Sequence, residues 1–246
     1  MAAILCIETS TEVCSVALSV DGNIVEHRED ASGKNHALLL TRFAEEVMRS
    51  NQRSFNQLDA IAVSGGPGSY TGLRIGVSTA KGLCYAAGLP LIAIPSLEAM
   101  AHHVVHNGSI LGSLQNEQQY FCPMIDARRM EVYTAIYDHQ MQLVRKIQAD
   151  IIDHLSFAEI LKNHKILFFG NGAGKCKSSI VHPNALLLED VITSARHLAK
   201  PADEAYHHGR FVDVAYYEPF YLKDFVATIP TKNIFHSKPD ANLTGE

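Results

Sequence analysis

The sequence predicts an α/β protein built as two lobes, each a mixed sheet with helices. Three observations carry this. Strand-like apolar runs alternate with helical stretches through the first hundred residues, the alternation restarts near Pro123, and 246 residues at 47% hydrophobic content supply material for two cores. The expected divisions are 1–100 for the first lobe, 101–225 for the second, and 226–246 for a flexible tail where periodicity fades and the composition turns polar.

Taken in order, Ala3 to Ile7 is an apolar run and Cys14 to Val20 alternates in part. Asp21-Gly22 then forms a turn into an extended segment from Asn23 to Glu26. From His36 to Ser50, Leu39, Leu40, Phe43, Ala44, Val47 and Met48 recur with helical spacing, and Arg42, Glu45, Glu46 and Arg49 take the opposite face. Leu58 to Ser64 reads as a buried strand, Gly65 to Ser69 as a breaker cluster, and Thr71 to Ala87 as a helix closed by Gly88 and Pro90. A strand from Leu91 to Ile94 follows. In the second half, Pro123 to Ile125 and Glu131 to Tyr137 read as strands around the polar turn Asp126 to Arg129. Ser156 to Lys162 reads as a helix, and Ile166 to Phe169 as a strand entering the loop Gly170-Asn171-Gly172-Ala173-Gly174-Lys175. Helical pieces extend from there to about Val214, broken at Pro183 and Pro201.

Composition excludes several classes. A net charge of -5 argues against unaided binding to a phosphate backbone, which calls for a basic stripe. Five scattered cysteines without a C-x-x-C pair give neither a disulfide framework nor a zinc site, so a reducing, cytoplasmic setting is expected. Glu8 interrupts the N-terminal apolar run before it reaches signal-peptide length, and no segment has the length of a membrane span.

Two glycine loops follow strands. Ser64 to Gly72 leads into a helix, where backbone amides can meet phosphate, but it lacks the Walker lysine; glycines permitting a tight turn are the favoured reading. Gly170 to Lys175 fits neither G-x-G-x-x-G nor G-x-x-x-x-G-K-[ST]. Gly72, Gly76 and Ala80 recur every four residues as a smooth stripe, serving equally a subunit contact or packing on the chain's own sheet. His102 and His106 sit one helical turn apart without an identifiable third ligand, and they read, like His207-His208, as surface histidines. No G-x-S-x-G elbow supports a serine hydrolase. Glu8-Thr9-Ser10, leaving the first strand, has the groups to orient a metal-bound phosphate.

Together, Ile7 to Ser10, Cys14 to Leu18, Ser64 to Gly76, Asp126 to Tyr133 and Pro219 to Leu222 closely resemble the bacterial TsaB (YeaZ-like) family, over most of the chain. The resemblance implies the two-lobed actin, Hsp70 and sugar-kinase (ribonuclease H-like) fold. It also implies a role in making N6-threonylcarbamoyladenosine at position 37 of tRNAs that read ANN codons, as the non-catalytic paralogue of TsaD. In TsaD a metal is held in part by an H-x-x-x-H pair; Ser96 and Met100 fall at those places here. The resemblance thus implies no catalytic residue, no metal and no cofactor of this chain's own, ATP and metal belonging to partner subunits. It implies docking to a TsaD-like subunit through the helices at His36 to Ser50 and Thr71 to Ala87, with Leu39, Phe43, Val47, Gly72, Gly76 and Ala80 as contact residues. A TsaE-like ATPase joins through the complex and tRNA is met only indirectly, with both a monomer and a homodimer left open for the isolated chain. Glu8, Thr9, Ser10, Gly66, Gly68, Gly170 and Gly172 then mark a vestigial nucleotide cleft. The alternative is a free-standing ATPase or kinase of the same superfamily, using those residues around a magnesium nucleotide. A glycoprotease reading ranks last, since no H-E-x-x-H occurs.

Overall fold

The computed structural model describes residues 1–33, 35–111 and 119–223, so the tail expected at 226–246 lies outside the described residues. The first lobe is a five-stranded sheet ordered β3-β2-β1-β4-β5, from β1 (Ala3–Glu8), β2 (Cys14–Val20), β3 (Asn23–Asp30), β4 (Ala60–Ser64) and β5 (Leu91–Ile94). β1 pairs antiparallel with β2 and parallel with β4, and β4 is parallel to β5. The second lobe repeats this plan as β10-β9-β6-β7-β8, from β6 (Gln119–Asp126), β7 (Glu131–Tyr137), β8 (Leu143–Ile151), β9 (Lys165–Phe169) and β10 (Ala185–Leu188). Directions match too: β6 is antiparallel to β7 and parallel to β9, which is parallel to β10. This is the ribonuclease H-like arrangement, present twice.

All six residues of β1 are buried because both faces of its sheet are covered, which is why it reads as a continuous apolar run. Leu5 and Ile7 enter a core under α1 (His36–Ser50) and α2 (Tyr70–Ala87). Ile4 and Cys6 enter the opposite core, under α7 (Ala199–His207) and a 3-10 helix at Ala195–Leu198. Each such Leu or Ile contributes about 1.5–3 kcal/mol by burial. The Ser69 hydroxyl caps α2 by accepting from the Gly72 amide at 3.3 Å, and Gly88, at φ 67°, ends it in the left-handed conformation. α3 (Ser96–Val105), followed by the one-turn α4 (Gly108–Leu111), lies between the lobes. Its Ala99 joins the core of the first sheet, while Leu97, Met100, Ala101 and Val104 roof the second sheet over Phe121, Tyr137 and Phe169.

The expected division of the chain is corrected. Residues 195–221, assigned to the second lobe, return to the first: Ala195, Leu198, Ala202 and Ala205 pack against Ile4 and Ile92, and the Val212 amide donates to the Leu91 carbonyl at 2.9 Å, while Leu222 and Lys223 reach back to the second core and to Glu131. Three edge strands are missed or cut short, and the central β6 begins four residues before Pro123, at Gln119. β3 runs four residues past Glu26, to Asp30, because an edge strand tolerates the polar His27-Arg28-Glu29-Asp30; β8 and β10 are likewise edge strands whose half-exposed residues give no clear alternation. The helix read over Ser156 to Lys162 is a single turn, α5 (Ala158–Leu161), and a second one-turn helix, α6 (Ala173–Cys176), follows Gly172.

Candidate functional site

Between the lobes lies a cleft of about 1150 Å³, floored by Ser10 and Gly68, walled by the start of α2, and overhung by the β6–β7 turn. Of the residues that the sequence assigns to a nucleotide cleft, Ser10 and Gly68 line it, while Glu8, Thr9, Gly66, Gly170 and Gly172 lie behind its wall. Glu8 is 1% exposed, its carboxylate takes the Ser10 amide at 2.5 Å, and burial pushes its carboxyl above the usual range despite those hydrogen bonds. The Thr9 hydroxyl donates to the Gly72 carbonyl at 2.8 Å, tying β1 to α2. The Ser10 carbonyl accepts from the Ser69 amide at 2.6 Å.

The glycines are taken up by close backbone packing. A Cβ on Gly68 would sit 2.2 Å from the Ser10 carbonyl oxygen, and one on Gly66, already at φ 101°, 2.6 Å from that of Phe220. Gly170, at φ 106°, would meet the Met124 carbonyl oxygen at 2.3 Å, and Gly172 the Ile125 carbonyl carbon at 2.9 Å. The loop lysine is equally occupied: Lys175 Nζ bonds Asp126 Oδ1 at 2.5 Å and the carbonyls of Arg129 and Glu131 at 2.7 Å each. It fastens the β6–β7 turn, in which Arg128 and Arg129 hold φ of 70° and 52° with exposed side chains.

A strap of residues 210–223 closes the glycine loop from outside. The Phe220 amide donates to the Gly65 carbonyl at 2.8 Å, and Lys81 Nζ on α2 donates to the carbonyls of Ala215 and Tyr217 at 2.9 and 3.0 Å. Tyr221 packs on Tyr70 with centroids 4.8 Å apart and planes tilted by 44°, and Lys223 pairs with Glu131 of the second lobe. Across the cleft mouth, Asn171 donates to Glu12 at 3.0 Å. Ser96 and Met100 are buried: the Ser96 hydroxyl meets that of Ser64 at 2.7 Å, and Met100 belongs to the second core. Among the described residues no three His, Cys, Asp or Glu side chains converge as a metal site, and no helix is long and apolar enough to cross a membrane.

The expected contact stripe is corrected as well. Gly72, Gly76 and Ala80 face inward, where a Cβ on Gly72 would sit 2.1 Å from the Thr9 carbonyl oxygen and one on Gly76 2.2 Å from Thr9 Oγ1. Ala80 and Val47 are fully buried in the first core, with Leu39 and Phe43 half-buried at its edge. The stripe serves the chain's own sheet. The outward face of α2 is instead Thr71, Arg74, Ser78, Gly82 and Tyr85, at three- and four-residue steps; Gly82 has nothing within 4 Å of its Cβ position, and Tyr85 is 87% exposed. Beside it α1 exposes Ala37 and Leu38, the latter to 70%. Three consecutive leucines, Leu38-Leu39-Leu40, were a signal for this, since a helix cannot turn all three toward one core. The histidine reading also changes: His207 and His208 are exposed, whereas His102 is buried against His106 and Glu204.

Residues 27–196 match the model of the family described as TsaD, tRNA N6-adenosine threonylcarbamoyltransferase. The chain belongs to that family. Within it, the chain is a TsaB (YeaZ-like) member. It is 28% identical to the tRNA threonylcarbamoyladenosine biosynthesis protein TsaB of Haemophilus influenzae, covering 91% of this chain and 94% of the relative. The TsaB of Escherichia coli is 29% identical over 91% of this chain and 96% of its own. The solved structure of YeaZ from Pseudomonas aeruginosa superposes with a TM-score of 0.76 at 26% identity, covering 90% of this chain and all of that one. The TsaB likeness thus extends over both lobes.

Proposed function

We propose that this chain serves tRNA N6-threonylcarbamoyladenosine biosynthesis as a non-catalytic, cytoplasmic subunit that docks to a TsaD-like catalytic subunit through the outer face of α1 and α2. The TsaB relatives support the pathway. The single observation that carries the docking role is the pairing of a bare Gly82 with exposed Tyr85 and Leu38 on adjacent helices, while the glycines and Lys175 of the cleft are committed to this chain's own backbone. A bare glycine lets another helix approach closely, and a tyrosine and a leucine beside it supply apolar anchors. On this reading ATP and metal are held by the partner subunits, a TsaE-like ATPase joins through the complex, and the same helical face lets the isolated chain pair with a second copy.

The test is co-purification with the TsaD-like protein of the native host, together with nucleoside mass spectrometry of its tRNA. Gly82→Arg and Leu38→Asp are expected to abolish co-elution and lower the modified nucleoside while circular dichroism stays unchanged. Retention of the partner by both variants would overturn the docking face. ATP turnover by the isolated chain would favour the free-standing kinase reading.

A further inference from the structure

Four histidines meet where α3, the 3-10 helix and α7 join, away from both the cleft and the outer face of α1 and α2. His103 on α3 stacks on His197 of the 3-10 helix with centroids 3.8 Å apart and planes 19° from parallel, and His102 stacks on His106 at 4.1 Å. His197 is 7% exposed, and its Nδ1 has no hydrogen-bond partner. The charges facing this cluster come from every element around it. Arg196 adjoins His103 and His197, Lys200 of α7 faces His102, and Glu204 of α7 brings Oε1 to 3.5 Å from His102 Nε2. Glu98, on the same α3, has Arg210 and Glu204 as its charged neighbours. Among these described groups the one carboxylate within ion-pair distance serves His102; the His103–His197 stack has a guanidinium beside it instead.

We propose that this cluster is an acid-sensitive catch: proton uptake by His103 and His197 releases the 3-10 helix and α7 from the first sheet, and with them the strap that closes the glycine loop. A charge on either ring would be buried beside Arg196 and face to face with the other imidazole. Burial is the main reason that His102, His103 and His197 are held below the usual histidine range, His197 furthest. The sign follows. Once the segment is released these rings titrate near the ordinary value of 6.5, while with it docked they resist protonation, so docking is intact above that pH and weakens as pH falls through it. Two rings that take protons only on release raise the released population by up to about thirtyfold between pH 6.5 and 5.5, and by only about threefold over the unit above that. Release would expose Ala195, Leu198, Ala202 and Ala205, and would withdraw Phe220 from Gly65 and the strap carbonyls from Lys81.

Amide hydrogen exchange of the full chain, read by mass spectrometry and corrected for intrinsic rates, tests this between about pH 7.5 and 5.5. The expected result is that peptides from 195–207 and 210–223 open about thirtyfold more often at pH 5.5 than at pH 6.5, while β1 and β4 keep their protection. His197→Phe retains a ring for the stack and should cut that ratio to about fivefold; His207→Gln, at an exposed site, should leave it unchanged. A wild-type ratio below about fivefold between pH 6.5 and 5.5 would overturn the catch, as would β1 and β4 opening in step with 195–207, or an undiminished ratio in His197→Phe. The wild-type slope and its confinement to this segment decide the matter even if the variant does not fold.

Discussion

The two glycines on opposite faces of α2 give the sharpest energetic prediction, because one substitution applied to one helix should change sign with the face it lies on. At Gly82 an alanine gains about 1 kcal/mol of helix propensity and its methyl meets nothing within 4 Å, so Gly82→Ala is expected to stabilise by about that amount. At Gly76 the same propensity gain is opposed by a Cβ placed 2.2 Å from Thr9 Oγ1, a hydroxyl that itself donates to the Gly72 carbonyl at 2.8 Å. Thr9 is fully buried and β1 is paired on both sides, so the hydroxyl has to rotate or the helix has to lift. Rotation loses a buried hydrogen bond, about 1 kcal/mol and more if the Gly72 carbonyl is left unpaired, and overpacking adds about 1–3 kcal/mol. Net destabilisation by Gly76→Ala is therefore about 1–3 kcal/mol. Urea denaturation with a shared m-value measures both, and thermal melting should show shifts of about 2–4 °C per kcal/mol for a chain of this size. A Thr9→Ala, Gly76→Ala double variant should recover part of the loss, since the clashing atom has gone. If Gly76→Ala equals or exceeds the wild type in stability, the inward placement of the stripe is wrong.

Two further expectations concern buried charge. Because burial raises the Glu8 carboxyl, its folded-state contribution is present below the ordinary carboxylate value and is lost as pH rises through the raised one; Glu8→Gln should remove this loss, leaving stability at pH 8 equal to or above that of the wild type, as pH-dependent denaturation will show. Burial also opposes ionisation of Asp150, but hydrogen bonds from Arg145, at 2.6 and 2.7 Å, and from Thr134 outweigh it and hold that carboxyl below its usual range. Arg145→Met should cost about 2 kcal/mol at neutral pH by stranding a largely buried carboxylate, with the deficit shrinking as pH falls and Asp150 protonates; a pH-independent deficit would assign the loss to packing.

The sequence-level reading succeeded where periodicity is enforced by a single covered face or two covered faces. α1 was legible to the residue, because Leu40, Ala44, Val47 and Met48 had to share one side, and β1 and β4 were legible because both of their faces are buried. It failed where partners come from far along the chain. Nothing local to Ala195–His207 says that its alanines cover Ile4 and Ile92, so the return to the first lobe was invisible. The glycine stripe was seen, but its direction was not: period four specifies a face of α2, and only the position of Thr9 specifies which face turns inward. His102 was misread for the same reason, since Glu204 reaches it from another helix.

The position of α3 has a consequence for how the molecule divides. Because the second sheet borrows its roof from a helix whose other side belongs to the first core, the lobes share a wall instead of meeting at a joint. A cut before Ser96 would strip the first half of Ala99, and a cut after Val105 would strip the second half of Leu97, Met100, Ala101 and Val104. The repeated five-strand plan therefore does not yield two separable proteins: each copy of the pattern is complete in its strands and incomplete in its cover. The chain is one folding unit with two sheets, and any force applied to either sheet is felt through the helix they hold in common.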